Sequence, residues 1–447
     1  MKIALINPPR SPHNNILEYA PPEAKKFIHK KLIGPPLGLL TVATALKNHD
    51  VSFLEIKGEY DLNPEAPDLE TLVMQFLERT NPDMVGVTFI ASEFNAGIKI
   101  FDVAKKYNSD IKTVAGGLHA TVCPDQFAGT STDYVIPGYS AHIIFQQLAD
   151  AIENNFSEEN VGGILISTNG LLNSTKVKPI HCNPTAEDFV MPDRGLLKRW
   201  LQTYIVGKAS GPATYLFTSL GCPYRCSFCS IWPQYKGEYL QREVESIINE
   251  LKTLDDYEVV RFADANTVVN VSIMEQLFQR IEEEGIDKKY VMDIRPDTIV
   301  ENPGLIETMA RMGLIAVISG FESYRKNELQ NYNKDYNELN IAKAIDILHA
   351  NGVLIRGNYV VPADYTRDDF AALTVYANSH KVTYAGYTIL SPMPGTPFYR
   401  QVKEQIIDHD LDKYNFFNCV LKTELPIEKF YEEVGKLWMI KKGKEII

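Results

Sequence analysis

The sequence predicts an α/β protein in which a doubly wound parallel sheet is followed by a partial (β/α)6 barrel. Two observations lead to this class. Short apolar runs alternate with helical patterns from Lys2 to about Asn154, and the same alternation resumes at Thr214 and repeats six times, to about Leu390. Apolar runs bounded by glycine and proline are typical of buried parallel strands. Both architectures bind ligands at the carboxyl ends of their strands.

The N-terminal part predicts five strands separated by helices. The strands are expected at Lys2–Ile6, Val51–Ile56, Met84–Phe89, Lys112–Ala115 and Tyr134–Ile136. The helices are expected from Gly34 to Leu46 and at Leu69–Arg79, Asn95–Tyr107 and Ile143–Asn154. This doubly wound domain is assigned to residues 1–155. Residues 156–208 are predicted to be an irregular linker. Within it, Asn169-Gly170 marks a hairpin turn between two short strands, and Asn183–Arg194 is polar and contains two prolines.

The second part predicts six β/α repeats. The strands are expected at Tyr215–Ser219, Val259–Phe262, Tyr290–Ile294, Leu314–Ser319, Val353–Val361 and Val382–Leu390. Helical patterns lie between them, for example at Glu338–Ala350. The barrel is assigned to residues 209–400, and residues 401–447 are predicted to form a C-terminal helical cap.

Composition limits the function classes. The net charge of −12 and the pI near 5.4 argue against broad nonspecific binding to nucleic acid, which needs a basic surface. The six cysteines do not form a pattern of paired spacings, so we expect a reducing compartment, the cytoplasm, rather than a disulfide framework. No apolar run is long enough for a signal peptide or a transmembrane helix.

The chemistry is expected at a loop that carries three cysteines. Cys222, Cys226 and Cys229 have C-x-x-x-C-x-x-C spacing directly after the first barrel strand. Three thiolates on one tight loop suit a four-iron cluster whose fourth iron is left for a substrate or cofactor. The alternative is a structural zinc site with a distant fourth ligand such as Cys182.

This loop, at the start of a six-repeat barrel, resembles the radical S-adenosylmethionine superfamily over residues 209–400. The resemblance implies that the three cysteines hold a [4Fe-4S] cluster that cleaves S-adenosylmethionine to a 5′-deoxyadenosyl radical. The strand ends match in order. The cofactor-binding residues that the resemblance implies are Phe228, Asp264, Asn266, Arg295, Ser319, Glu322, Ile355 and Arg356. Among them, Arg295 is expected to pair with the methionine carboxylate and Glu322 to accept a hydrogen bond from the ribose.

The N-terminal domain resembles the cobalamin-binding domain that precedes many radical S-adenosylmethionine enzymes. The matching segments include Asn7-Pro8-Pro9 and Ala115-Gly116-Gly117-Leu118-His119. The resemblance implies contacts to the nucleotide tail of cobalamin from Thr88, Ser92, Gly117 and Thr121. Pro137-Gly138-Tyr139-Ser140 stands where the family carries Gly-Glu-Gly-Glu, so a degenerate domain without cobalamin is the alternative.

Together the two resemblances imply cobalamin-dependent methyl transfer to an unactivated carbon of a small molecule. A radical ring closure, dehydration or rearrangement without methyl transfer is the alternative within the same fold. A non-catalytic iron–sulfur or corrinoid sensor and a zinc-stabilised interaction protein are alternatives from other classes. The enzyme would need an external one-electron donor such as flavodoxin or ferredoxin. The oligomeric state is left open.

Overall fold

The computed structural model describes residues 1–28, 34–177, 184–204, 211–380, 382 and 384–439. Cys182 therefore lies outside the described residues, as do residues 440–447 of the predicted cap. The strands are β1 Lys2–Asn7, β2 Asp50–Glu55, β3 Met84–Thr88, β4 Lys112–Gly116, β5 Tyr134–Val135, β6 Leu165–Thr168, β7 Leu171–Ser174, β8 Ala213–Leu216, β9 Ser219–Gly221, β10 Tyr239–Gln241, β11 Val259–Phe262, β12 Lys289–Asp293, β13 Leu314–Glu322, β14 Leu354–Val361 and β15 Tyr384–Ile389. The helices are α1 Asn15–Tyr19, α2 Leu37–Ala45, α3 Ile56–Leu62, α4 Leu69–Thr80, α5 Phe94–Tyr107, α6 Leu118–Val122, α7 Ala141–Glu153, α8 Ile231–Gln234, α9 Val244–Leu251, α10 Val271–Glu283, α11 Pro296–Glu301, α12 Pro303–Arg311, α13 Lys326–Asn331, α14 Glu338–Ala350, α15 Arg367–Ser379, α16 Pro397–Val402 and α17 Ile427–Leu437.

The chain divides into two compact units that do not follow chain order throughout. The first contains Met1–Pro12, Pro35–Thr203 and Ser230–Glu238, and the second contains His13–Gly34, Tyr204–Cys229 and Tyr239–Ile447. The segment before α2 thus groups with the barrel, and the segment after the cysteine loop groups with the N-terminal sheet. The domain limits expected from sequence stay a prediction.

The first unit is built on a seven-stranded sheet in the order β2-β1-β3-β4-β5-β6-β7. The strands β1 to β5 are parallel, and the hairpin β6–β7 continues the sheet in antiparallel sense. The strand β1, which lies between β2 and β3, is apolar on both faces, since Ala4 and Ile6 enter one core while Ile3 and Leu5 enter the other. The sheet is therefore doubly wound, as the sequence predicts, and the hairpin predicted at Asn169-Gly170 forms its antiparallel edge.

The second unit contains a six-stranded parallel sheet in the order β15-β14-β13-β12-β11-β8. This order is the consecutive one of an open barrel, which confirms the six predicted repeats. The small antiparallel pair β9–β10 was not predicted. Its three-residue strands are too short to give a periodic signal. The C-terminal region is helical only in part, with α16 and α17 separated by irregular chain that bridges Ile406 to Leu421.

Local signals explain where the helices begin and end. In α4 the Asp68 side chain accepts a hydrogen bond from the Thr71 backbone N–H at 2.9 Å, and Asn81 ends the helix in the left-handed conformation at φ 44°. Within the described ranges of the chain, no helix combines the length and apolarity that a membrane crossing requires.

Candidate functional site

The cysteine loop leaves the short strand β9 at Gly221, whose φ of +77° favours glycine. Cys222 and Cys226 are each 9% exposed, and Cys229 is partly buried. The backbone of Ser227 holds the loop from two sides: its N–H donates to the Tyr332 carbonyl, and its carbonyl accepts from the Phe398 N–H at 2.9 Å. The loop is thereby fixed by chain that follows β13 and β15.

Asp264 lies directly behind this loop and ties down the chain that enters it. The Asp264 carboxylate accepts hydrogen bonds from the backbone N–H groups of Thr218 and Ser219, at 2.8 and 2.7 Å, and from both hydroxyls. Burial raises the pKa of Asp264 to about 6, although these hydrogen bonds lower it. In the structure this side chain is engaged in positioning Thr218 and Ser219.

Three other predicted cofactor-binding residues, Phe228, Ser319 and Ile355, are held by packing or by a hydrogen bond. Phe228 meets the Tyr332 ring edge-on at 5.2 Å between centroids, which fixes the loop beside the third cysteine. The Ser319 hydroxyl donates to the Ile294 carbonyl at 2.7 Å, and Ile355 is fully buried. Their side chains shape the site.

Asn266 and Arg295 meet at the ends of β11 and β12. The Asn266 side-chain oxygen accepts from the Arg295 backbone N–H at 3.3 Å. The Arg295 guanidinium forms a bidentate pair with Asp297, and its central carbon lies 3.8 Å from the centroid of the Tyr224 ring in the cysteine loop. Arg295 is therefore held above the loop by both a carboxylate and an aromatic face.

Glu322 lies at the end of β13 and pairs with a residue that the sequence analysis did not single out. Its carboxylate lies 2.9 Å from the ammonium nitrogen of Lys334, and its φ of +59° is unusual for a residue other than glycine. Burial opposes the charge of Lys334, but Glu322, Tyr336 and Cys226 raise its pKa well above the usual value. Lys334 belongs to no recognisable motif, because its role depends on the fold that brings the loop after α13 to the cysteines.

These residues fit an iron–sulfur cluster and S-adenosylmethionine. The donor set consists of three thiols on one loop, which matches three irons and leaves one open. Burial raises the pKa of the Cys222 thiol, while the nearby cations Lys334 and Arg295 lower it and so favour the thiolate that binds iron. Backbone around Glu322 and Asn266 lies at strand ends, where α/β barrels hold their ligands.

In the first unit, three of the four predicted tail-binding residues meet at one place. Gly117 has φ +94°, and a Cβ there would lie 2.6 Å from the Thr88 hydroxyl oxygen, so only glycine fits. The Thr121 hydroxyl donates to the Gly117 carbonyl and accepts from the Gly138 N–H, both at 2.9 Å. Ser92 is 8% exposed in the turn Ala91–Glu93 that follows β3.

The segment Pro137–Ser140, which departs from the family pattern, is well anchored. The Ser140 hydroxyl donates to Asp188 at 2.7 Å, and Tyr139 stacks on Tyr235 at 5.6 Å between ring centroids. Gly138 has φ +106°, and among the described residues no atom lies within 4 Å of where its Cβ would be. Open glycine backbone at the carboxyl ends of parallel strands fits the nucleotide tail of cobalamin.

The carboxyl ends of β1 and β2 carry a buried polar group that the sequence analysis did not identify. The Asn7 amide donates to Glu55 at 2.7 Å, and the Lys57 ammonium lies 2.7 Å from the Glu93 carboxylate. Burial raises the pKa of Glu55 to about 7. A glutamate that ends an apolar strand is the signal that could have revealed this group.

Comparisons with known proteins agree with both resemblances. The model of the B12 binding domain matches residues 28–168, and that of the radical SAM superfamily matches residues 216–376. An uncharacterised methyltransferase of Pyrococcus horikoshii is 27% identical over 401 residues, which is 88% of this chain and 84% of that protein. An anaerobic magnesium-protoporphyrin IX monomethyl ester cyclase of Rubrivivax gelatinosus is 23% identical over 365 residues, 79% of this chain and 64% of that protein.

The same fold occurs in a solved structure. The radical S-adenosylmethionine methyltransferase TsrM of Kitasatospora setae, with tryptophan and an S-adenosylmethionine analogue bound, superposes with a TM-score of 0.72 at 17% identity. The match covers 98% of this chain and 88% of that one, so it extends over both units. The two family matches together cover more than half of the 447 residues. The chain therefore carries a radical S-adenosylmethionine domain at residues 216–376, preceded by a B12-binding domain at residues 28–168.

Proposed function

We propose that this enzyme transfers a methyl group to an unactivated carbon of a small molecule. The observation that carries the proposal is the presence, in one chain, of a B12-binding domain and a three-cysteine radical S-adenosylmethionine barrel. When bound, S-adenosylmethionine at the cluster supplies a 5′-deoxyadenosyl radical, and cobalamin supplies the methyl group. The name of the Pyrococcus horikoshii relative, a methyltransferase, agrees with this reaction.

The residues divide this work between binding and positioning. Cys222, Cys226 and Cys229 would bind three irons, and Asp264 would keep the loop in place through Thr218 and Ser219. The proposed contacts to S-adenosylmethionine come from the strand ends, from Phe228, Asn266, Arg295, Ser319, Glu322, Ile355 and Arg356. The proposed contacts to the cobalamin tail come from Thr88, Ser92, Gly117 and Thr121.

The surroundings of the reaction are also proposals. The barrel domain would span residues 209–400 and the B12-binding domain residues 1–155, and the substrate would be a small molecule rather than a nucleic acid, given the net charge of −12. A cluster on thiolates needs electrons of low potential and reducing conditions. We therefore propose an external one-electron donor, such as flavodoxin or ferredoxin, and a cytoplasmic location.

A second candidate is an oxidative ring closure that uses the radical without methyl transfer. The similarity to the magnesium-protoporphyrin IX monomethyl ester cyclase favours it, because that similarity covers 79% of this chain. The replacement of the acidic family pattern by Pro137–Ser140 is compatible with it as well.

One experiment separates the two candidates. Reconstituted enzyme with hydroxocobalamin is reduced anaerobically with methyl-deuterated S-adenosylmethionine and a fractionated metabolite extract. Each methyl group that leaves S-adenosylmethionine leaves S-adenosylhomocysteine behind, so methyl transfer predicts S-adenosylhomocysteine together with 5′-deoxyadenosine and a product with three extra deuteriums. Appearance of 5′-deoxyadenosine with a new product but without S-adenosylhomocysteine would overturn methyl transfer and favour ring closure.

A further inference from the structure

Three charged side chains form a layer inside the barrel, and only one of them, Arg356, is also among the proposed contacts to S-adenosylmethionine. They are Arg261 on β11, Asp293 at the end of β12 and Arg356 on β14, and we call them the interior charge layer. The strand register places Asp293 beside Ile318, and Ile318 beside Arg356. Arg261 reaches across to Asp293, with its guanidinium nitrogen 2.8 Å from the carboxylate.

The alternation of the strands shows which way these side chains point. Val259 and Val291, two residues before Arg261 and Asp293, pack with residues of neighbouring strands. The opposite faces of these strands pack on helices, as Tyr290 does against Phe278 of α10. Because side chains two apart share a face, the interior charge layer lies on the inner face of the barrel.

The charges of this layer do not balance. Asp293 pairs with Arg261, whereas Arg356 donates from Nε to the Asn358 amide oxygen at 3.2 Å, and among the described residues no carboxylate lies within 4 Å of its guanidinium. Burial and the neighbouring Arg261 lower the pKa of Arg356. The layer thus contains two guanidinium groups and one carboxylate, and a partly buried cation without an anionic partner is costly.

The layer also borders open space. The Arg261 and Asp293 side chains keep 28% and 24% of their surface accessible although they lie on the inner face. Gly386 on the neighbouring strand leaves room for Arg356, because a Cβ there would lie 2.6 Å from the Asn358 oxygen and 3.3 Å from an Arg356 nitrogen. The accessible surface of Arg261 and Asp293 marks the side from which a small ligand group can approach the layer.

We propose that the interior charge layer binds an acidic group, a carboxylate or a phosphate, of the small-molecule substrate. Arginine presents paired N–H donors that match either group. Arg295 follows Asp293 by two residues, so the layer lies ~7 Å deeper in the barrel than the Arg295 level. The inference rests on the proposed function only where it identifies the ligand as the substrate. The anion site itself does not depend on which reaction occurs.

The competing source of an anionic group is the methionine carboxylate of S-adenosylmethionine, and crystals can separate the two. Crystals of the cluster-loaded enzyme are soaked in sodium iodide, with and without S-adenosylmethionine, and anomalous differences are measured. We expect an iodide peak between Arg261 and Arg356 in both soaks. Absence of the peak from both would overturn the proposal, and so would its replacement by the methionine carboxylate when S-adenosylmethionine is present.

A measurement in solution tests whether the anion also binds outside the crystal, at concentrations below those of the soak. The thermal midpoint is recorded in inorganic phosphate and in acetate against chloride at equal ionic strength. In Arg356→Gln, on the order of tenfold more phosphate should be needed for the same rise in the thermal midpoint. In Arg356→Lys the increase should be smaller. Arg311→Gln, which removes an exposed arginine of α12, is the matched control and should leave the phosphate dependence unchanged.

If the thermal midpoint rises equally with phosphate concentration in wild type and in Arg356→Gln, the proposed anion site is wrong. These measurements need no turnover, so their failure is distinguishable from a failure of methyl transfer. If methyl transfer fails and the anion still binds, the interior charge layer stands and serves the ring-closing reaction instead.

Discussion

The Lys334 ammonium lies 2.9 Å from the Glu322 carboxylate, and the side chains are 10% and 9% exposed. The pair joins the end of β13 to the loop after α13, beside the cysteines. The ammonium of Lys334 also lies 5.9 Å from the centroid of the Phe228 ring, in the cysteine loop itself. A buried positive charge thus faces the place where the iron–sulfur cluster would bind.

This geometry predicts that Lys334 raises the reduction potential of the cluster. Replacing it by methionine removes a positive charge at low dielectric, so the reduced cluster loses stabilisation and its potential falls, by on the order of tens of millivolts. Redox titration followed by electron paramagnetic resonance measures the shift, and cleavage of S-adenosylmethionine should slow in parallel.

Lys334→Arg is the matched control for this prediction, because it keeps the charge. Its potential should stay near that of wild type. An unchanged potential in Lys334→Met, with normal iron content, would show that the lysine serves only to pair with Glu322.

The second prediction concerns Asp264, which asparagine should replace without loss of iron, whereas alanine should not. Asp264→Ala leaves the buried N–H groups of Thr218 and Ser219 without an acceptor, at a cost of about 1–3 kcal/mol each. We expect a lower iron content after reconstitution, because the chain entering the cysteine loop is no longer fixed. Asp264→Asn retains an acceptor oxygen for both N–H groups and should bind nearly as much iron as wild type.

The same two variants test whether Asp264 instead contacts S-adenosylmethionine through its charge. In that case both should bind iron normally and both should lose affinity for S-adenosylmethionine in equilibrium dialysis. A deficit of iron confined to Asp264→Ala supports the positioning role.

The parts that could be predicted from the sequence depend on local signals. The apolar runs of β1, β3 and β11 and the spacing of the three cysteines are read within a few residues, and both sheets form as these signals predict. The pair β9–β10 gives no such signal because three-residue strands show no period, whereas the hairpin predicted at Asn169-Gly170 forms as β6–β7 and also extends the sheet.

The parts that could not be predicted depend on contacts between distant segments. Lys334 matters because it reaches Glu322 and the cysteines, and the pair Asn7–Glu55 joins residues 48 positions apart. Arg295 was expected to bind a carboxylate and is found on that of Asp297, two residues away. Residue type indicated the chemistry in these cases, but the partner was decided by the fold.

Glu55 predicts a pH dependence of stability. Its pKa is about 7 in the folded protein and 4.5 in the unfolded chain, so between these pH values the folded state binds more protons. The contribution of Glu55 to stability therefore falls as the pH rises from about 4.5 to about 7 and is constant above. Glu55→Gln removes this loss and should raise the free energy of unfolding at pH 8 by ~2–3 kcal/mol, with little change at pH 4.5.

Urea unfolding of wild type and Glu55→Gln at both pH values measures this effect. Glu78→Gln, at an exposed position of α4, is the control for the loss of a carboxylate and should show no such difference. An equal change at pH 4.5 and pH 8 would contradict the assignment, since a packing effect does not depend on pH.

Gly138 predicts how the first unit binds cobalamin. Gly138 and Gly129 both have positive φ, +106° and +74°, and among the described residues neither has an atom within 4 Å of where a Cβ would be. An alanine at either position therefore strains the backbone but meets none of those neighbouring atoms. Only Gly138 lies at the carboxyl end of β5, where its N–H donates to Thr121 of the proposed tail site.

Gly138→Ala should weaken binding of hydroxocobalamin, measured by absorbance titration, by on the order of tenfold, because a methyl group narrows the approach of the tail to the backbone. Gly129→Ala should bind as wild type does. Equal affinity in all three proteins would place the tail elsewhere, and absence of binding in all three would favour the degenerate domain and the ring-closing reaction.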